Sequence, residues 1–431
     1  MNLSLQDPFS VAKEYPENLS HTLQYGHSVI LQFTECGDYL ASGLADGSII
    51  VYDSITMSPI VHLNTGSHVK PITSLNWSKC GRYLLSSSQD WYVKLWDLSK
   101  CNNPEEDSVA IRQVKFDGPI WGASLHPNDP FVFVASLFDD SPVYVDMHES
   151  TPKISSLTTT PLEHQEIIDD IEMEQPKRKD KHMTLVTTFT HDGGYIFTGT
   201  SKGWINIFET STLVLKHSIK IANSNIKHLV ISSNGCKLAV NSSDRIIRQI
   251  NLPDLINITN PNDWEFEIDH KYQDVVNRVQ WNSMSYNHNG DFLVASTYGQ
   301  QSSHDLYIWE TNNGSLIKIL EGAKEELIDV KWNYPKCIIG SIGLDSGAIY
   351  IWSITFPQKW SALAPDFVEI EENIEYIESE QEFDIIDDNE LTKQRLAEEE
   401  DFNVDVINGD LVDARGFDVS RKRFIIPIAY Q

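Results

Sequence analysis

The 431-residue sequence is poor in cysteine and in positive charge. Its five cysteines, Cys36, Cys80, Cys101, Cys236 and Cys337, are widely spaced, form no CxxC pair and leave an odd total. That argues against a disulfide scaffold or a thiolate zinc site and suits a reducing compartment. Lys and Arg number 33 against 62 Asp and Glu, a net charge of -29. Such a balance argues against a general nucleic-acid binder held by a basic surface. No apolar run approaches the ~18 residues of a membrane helix, and the N-terminal MNLSLQDPF lacks a basic start followed by an apolar core. The chain is therefore expected to be neither secreted nor membrane-spanning. Phosphate loops of the GxGxxG or GxxxxGK[ST] type are absent, and the histidines lack metal-ligand spacing. No catalysis, cofactor or metal is expected.

What is present is an ordinary globular composition, 41% apolar and 22% charged, with the acidity concentrated in one place. From Asp366 to Asp413 there are 19 acidic and 2 basic residues, so more than half of the net negative charge lies in that segment. The rest is only mildly acidic and can bury a core.

An internal repeat organises that remainder. FTECGDYLAS from Phe33, WSKCGRYLLS from Trp77, FTHDGGYIFT from Phe189, ISSNGCKLAV from Ile231 and YNHNGDFLVA from Tyr286 share one frame. Each has an apolar or aromatic residue, three turn-like positions, a glycine and an apolar strand. The glycine suits a tight hairpin whose turn needs a positive φ. LHPNDPFVFV from Leu125 and WNYPKCIIGS from Trp332 keep the frame without the glycine. Downstream of each copy a second strand ends at Asp53, Asp97, Asp146, Glu209, Asn251, Glu310 or Ser353, in an aromatic-acidic closure or a relic of one. Seven copies predict an all-β fold, a seven-bladed WD40 β-propeller over residues 1–357. A polar, Pro-punctuated surface insertion is expected over 150–182, and a smaller one from about Pro253 to Asp269. An extended acidic partner-binding tail follows over 358–413, then a terminal segment over 414–431.

His68, a serine among Ser86 to Ser88, Asp90 and Trp96 have the composition of a catalytic set. A buried hydrogen-bond network tying strands together accounts for them better, since buried polar groups must be paired. Lys177, Arg178 and Lys179 in PKRKDK form a candidate nuclear localisation signal, with a solvated charge run as the alternative. Arg245, Arg248, Lys271 and Arg278 form a candidate basic face for nucleic-acid phosphates, with pairing to blade aspartates as the alternative. In the tail, Phe367, Ile370, Ile374, Tyr376, Ile377, Phe383, Ile385 and Ile386 interrupt the acidic run. A disordered solubilising segment would be short of such residues, so the pattern fits an extended peptide that orders on binding.

The start MNLSLQDPF, SDRIIRQI in blade five, LYIWE with KILEGAKEELIDVKW, and WSALAPDFVEIEENIEYIESEQEFDIIDD together resemble the retinoblastoma-binding-protein-five family. Its fungal members are WD-repeat subunits of COMPASS, the complex that methylates lysine 4 of histone H3. The resemblance implies a non-catalytic scaffold and activating subunit in the nucleus. It implies contact of Trp360, Pro365, Phe367, Ile370 and Ile374 with the SET-domain methyltransferase subunit. Glu375, Tyr376, Glu378, Glu380, Glu382, Phe383, Asp384 and Ile385 are implied to bind the Ash2-like SPRY subunit. Phe402, Val404, Asp405 and Val406 are similar to the family motif that docks on a second WD-repeat propeller subunit, whereas the following NGDLVDARGF departs from the family pattern. RKRFIIPIAY is similar to the family's closing strand, which implies a return to the propeller. The nucleosome is the implied ultimate partner, with no membrane involved. The competing reading is a generic WD-repeat scaffold or substrate receptor of another nuclear complex, with the tail only keeping it soluble.

Overall fold

The middle strands of each repeat are apolar or small at nearly every position. In Tyr83–Ser88 and Tyr92–Asp97 every residue but the first of each is buried. Strands of this kind need cover on both sheet faces, and a ring of blades supplies it. The computed structural model describes residues 15–64, 66–100, 110–162, 182–253, 255, 264–274, 278–299, 305–333, 336–354, 389, 392–393, 395 and 424–427. The chain divides into a unit of residues 12–355 with 424–431 and a second unit of residues 1–11 with 356–423. The larger unit is all-β among its described residues, with seven four-stranded antiparallel sheets.

Six blades are consecutive in sequence and the seventh closes the ring. Its strands Leu327–Asn333, Ile338–Gly343 and Ile349–Ser353 are completed by Asn18–Leu23 from the other end of the unit, Leu23 facing Ile349 and Asn18 facing Ser353. Seven apolar clusters fill the seven blade-to-blade interfaces. Each fully buried Leu, Ile, Phe or Val in them contributes roughly 1.5–3 kcal/mol. Polar side chains stitch neighbouring blades: Asn76 Nδ2 donates to Ala123 O at 2.6 Å, Asn241 Nδ2 to Trp281 O at 3.1 Å, and Leu31 N to Asp329 Oδ2 at 3.0 Å across the closure.

Five of the seven hairpins between first and second strands are nearly identical. Gly37, Gly81, Gly193, Gly235 and Gly290 all have φ between 71° and 80°, the left-handed conformation that the repeat frame predicts. The first turn position is more than a turn former. Thr34, Ser78, Thr190, Ser232 and Asn287 each accept, through the side chain, the amide of the residue opening the second strand, at 2.9 to 3.1 Å.

Two expected insertions are shorter than their sequence suggests. Lys153–Ser156, inside the expected 150–182 loop, is the outer strand of blade three and pairs with Val143–Asp146. Glu267–Tyr272, which begins inside the expected break from about Pro253 to Asp269, is the outer strand of blade five, preceded by the buried Trp264. Outer strands meet solvent on one side, so KISS and EIDHKY lack the apolar pattern that reveals the middle strands.

The terminal residues Phe424–Pro427 lie against blades one and two without joining a sheet. Ile426, 1% exposed, enters the cluster between those blades, and its amide donates to the Tyr39 hydroxyl at 3.1 Å. The strand that completes a blade is therefore Asn18–Leu23.

Candidate functional site

In a four-stranded meander the turn between second and third strands lies on the same edge as the link to the next blade. One face of the ring therefore carries all the crossovers and the opposite face all the first-to-second hairpins. On the crossover face, buried polar groups tie each link down with different residues in different blades.

Blade two uses the set that resembled a catalytic triad. His68 Nδ1 lies 3.0 Å from Asp90 Oδ2, its Nε2 lies 2.8 Å from Ser86 Oγ, and Trp96 Nε1 donates to the same Ser86 Oγ at 2.9 Å. His68, Ser86 and Trp96 are buried, so Ser86 has no route to a substrate and the set is a structural tie. Burial opposes ionisation of Asp90, but its hydrogen bonds to His68 and to the Val69 and Tyr92 amides hold the carboxyl below the usual range. In blade seven Glu325 plays the corresponding part, accepting from the Asp345 and Ser346 amides at 2.8 Å and the Tyr350 hydroxyl at 2.7 Å. Burial, then Glu325, pushes the Tyr350 phenol up to about 12.

Blade five uses Arg248. Its guanidinium pairs with Asp244 and donates to Ser242 Oγ at 2.7 Å, and the residue is only 9% exposed. Arg248 is thus a tie within its blade, and the pairing alternative accounts for it. The other members of the candidate basic face are exposed: Arg245 in the turn before Ile247–Asn251, Lys271 near the end of the outer strand, and Arg278 in the following crossover. All three lie toward the crossover face.

Sequence reasoning missed the exposed aromatics of the same face. Trp91 (41% exposed), Trp121 (49%), Phe138 (52%) and Tyr298 (53%) stand at or beside second-to-third turns and crossovers. One sign of them was legible: Trp91 follows Asp90 at the turn position where blade one has Gly47 after Asp46. Both residues are left-handed, with φ of 73° and 92°.

Ser353, at the last residue of the third strand of blade seven, and Phe424, whose amide approaches Cys80 O at 3.4 Å, both lie on the hairpin face. Trp360, Pro365, Phe367, Ile370 and Ile374, then Glu375, Tyr376, Glu378, Glu380, Glu382, Phe383, Asp384 and Ile385, lie outside the described residues, as do Phe402, Val404, Asp405 and Val406. The same holds for Lys177, Arg178 and Lys179. Among the described residues no group of three or more His, Cys, Asp or Glu is arranged to hold a metal, and no helix is long and apolar enough to cross a membrane.

A family model described as "WD domain, G-beta repeat" matches residues 17–53 and 60–97. Over 439 residues the chain is 44% identical to the COMPASS component SWD1 of Saccharomyces cerevisiae, covering 100% of this chain and 98% of that one. It is 45% identical over 390 residues to the Set1 complex component swd1 of Schizosaccharomyces pombe, covering 90% and 91%. The retinoblastoma-binding protein 5 homolog of Drosophila melanogaster is 29% identical over 416 residues, covering 94% of this chain and 76% of that one. Among solved structures, the β-propeller domain of Cps50 (Swd1) from Myceliophteria_thermophila superposes with a TM-score of 0.70 at 39% identity, covering 78% of this chain and 100% of that domain.

Proposed function

Because the chain belongs to the family of SWD1 and the retinoblastoma-binding protein 5 homologues, we propose that it is the non-catalytic scaffold and activating subunit of a COMPASS-type histone H3 lysine 4 methyltransferase. The observation that carries this reading is likeness over the full length. The 44% identity to a COMPASS component spans 100% of the chain, acidic segment included. A shared propeller alone would support only a WD-repeat scaffold.

In this reading the tail bridges partners. Trp360 to Ile374 meet the SET subunit, Glu375 to Ile385 the Ash2-like SPRY subunit, and Phe402 to Val406 a second WD-repeat propeller. Apolar residues spaced among carboxylates suit pockets with basic rims. Joining several weak sites on one chain raises the effective concentration of each. Activation follows if the peptide binds the closed SET arrangement better than the open one, because a ligand shifts an equilibrium only by its differential affinity. The complex works in the nucleus, and Lys177, Arg178 and Lys179 serve as its localisation signal. Exposed Arg245, Lys271 and Arg278 steady the propeller on nucleosomal DNA through phosphate contacts that carry no sequence information.

Reconstituted complex containing the chain truncated after Pro365 tests the reading on nucleosomal histone H3. Collapse of methylation with the propeller still folded is the expected result, and undiminished activity overturns it. Replacing Tyr376 and Phe383 by Ala narrows the loss to the SPRY contact. Charge reversal at Arg245 and Arg278 should weaken nucleosome binding at one fixed salt concentration and leave methylation of a short H3 peptide unchanged.

A further inference from the structure

The crossover face of blades two and three carries an aromatic surface that the ring does not need for its own packing. Trp121 and Phe138 touch, with ring centroids 5.6 Å apart and planes at 42°, and both are about half exposed. Trp91 stands on the other flank of the same crossover, since its carbonyl accepts the Phe116 amide at 2.9 Å while the Phe138 amide donates to Pro119 O at 2.9 Å. Trp91 holds a left-handed backbone, φ 73°, where blades one and four place Gly47 and Gly203. That conformation is unfavourable for a residue with a Cβ and tends to persist where function requires it.

The rim is acidic. Asp117 lies in the crossover itself, and Asp139 and Asp140 follow Phe138 directly; all three are exposed. Asp117 has no hydrogen bond or ion pair among the described residues. The nearby cation Lys115 is drawn aside, its Nζ lying 6.0 Å from the centroid of the Tyr92 ring. Elsewhere on this protein aromatic rings attract cations, as at Lys227 over Tyr298 at 5.6 Å. Among the described residues no cation stands over Trp121 or Phe138.

We propose that this sector is a docking site for a basic peptide. An arginine or lysine side chain lies over Trp121 and Phe138, while Asp117, Asp139 and Asp140 neutralise its charge and that of its neighbours. Ring faces favour a cation electrostatically, and carboxylates at the rim select against acidic segments. The site is independent of the reading of the acidic tail and lies two blades from the exposed Arg245.

Fluorescence polarisation with the full chain tests it, using labelled Gly/Ser peptides that carry arginine, lysine or glutamate. The acidic tail will attract basic peptides too, so the deciding comparison is with variants that leave the net charge alone. Trp121→Ala and Phe138→Ala should each weaken arginine-peptide binding about five-fold, with melting unchanged because both rings are exposed. Asp117→Asn, a surface change that removes one charge and is therefore the secondary comparison, should weaken arginine and lysine peptides alike. Affinity equal to the parent in all three variants overturns the proposal by assigning the binding to the tail. Equal binding of the glutamate peptide also overturns it, as does concentration-dependent self-association through these rings without peptide binding.

Discussion

The two faces of the ring are made by the same seven blades and differ in how much they vary. On the hairpin face the same amide-to-carbonyl pair, closed by a glycine at nearly one φ, recurs in five blades from Thr34–Tyr39 to Asn287–Phe292. On the crossover face the ties change from blade to blade: His68 with Asp90, Arg248 with Asp244, Glu325 with Ser346. Uniform turns solve one geometric problem repeatedly, whereas varied links leave room for surface chemistry. The exposed tryptophans and the exposed basic residues lie on the varied side. The uniform side holds Ser353 and the buried Ile426 lies near it.

The sharpest way to break this contrast is to remove a crossover tie. His68→Ala leaves the Asp90 carboxylate and Ser86 without their shared partner and should cost about 4 kcal/mol, read as a lowered urea midpoint. Close behind, Gly47→Ala would set a Cβ 2.2 Å from the His68 carbonyl oxygen at a φ of 92°. A loss of about 3 kcal/mol is expected, because neither strain nor clash can relax against backbone. On the hairpin face Ile426→Ala should remove about 2 kcal/mol of docking energy. The expected readout is faster hydrogen exchange at the chain end, with blades four to six unaffected.

The smallest effects belong to the hairpin turns themselves. Gly81→Ala meets nothing nearer than Thr34 Cγ2 at 3.9 Å, so only the left-handed backbone is penalised, by about 1 kcal/mol. Asp97 offers a pH version of the same scale. Burial opposes its ionisation, but Arg82 at 2.6 Å and Ser99 hold the carboxyl down to about 2, against 3.8 for an ordinary aspartate. A lowered folded value gives stability that is complete above pH 3.8 and lost as pH falls through about 2. With Arg82 partly exposed and screened, about 1 kcal/mol is at stake. Asp97→Asn should flatten that acid limb in urea titrations between pH 4 and 2.

The repeated Gly-apolar frame, the aromatic-acidic closures and the family likeness were all legible along the chain, because each arises from neighbouring residues that satisfy a local geometry. The roles of Ser78 and Thr34 as side-chain caps were partly legible, as turn positions without an assigned bond. Outer strands such as Lys153–Ser156 were not, since one solvated face erases the alternation that marks a strand.

Sequence alone thus determined the seven-bladed architecture, its glycine hairpins and the segregation of acidity into one segment. These depend on period, on φ and on composition, which are local quantities. Tertiary structure alone decided that Arg248 is consumed by Asp244 while Arg245 stays exposed, that Asn18–Leu23 completes blade seven, and that Ile426 is buried beside Tyr39. It also brought Trp121 against Phe138. Each of these depends on which distant residues share a blade edge, and closing the ring sets that across sequence separations as long as 387, from Tyr39 to Ile426.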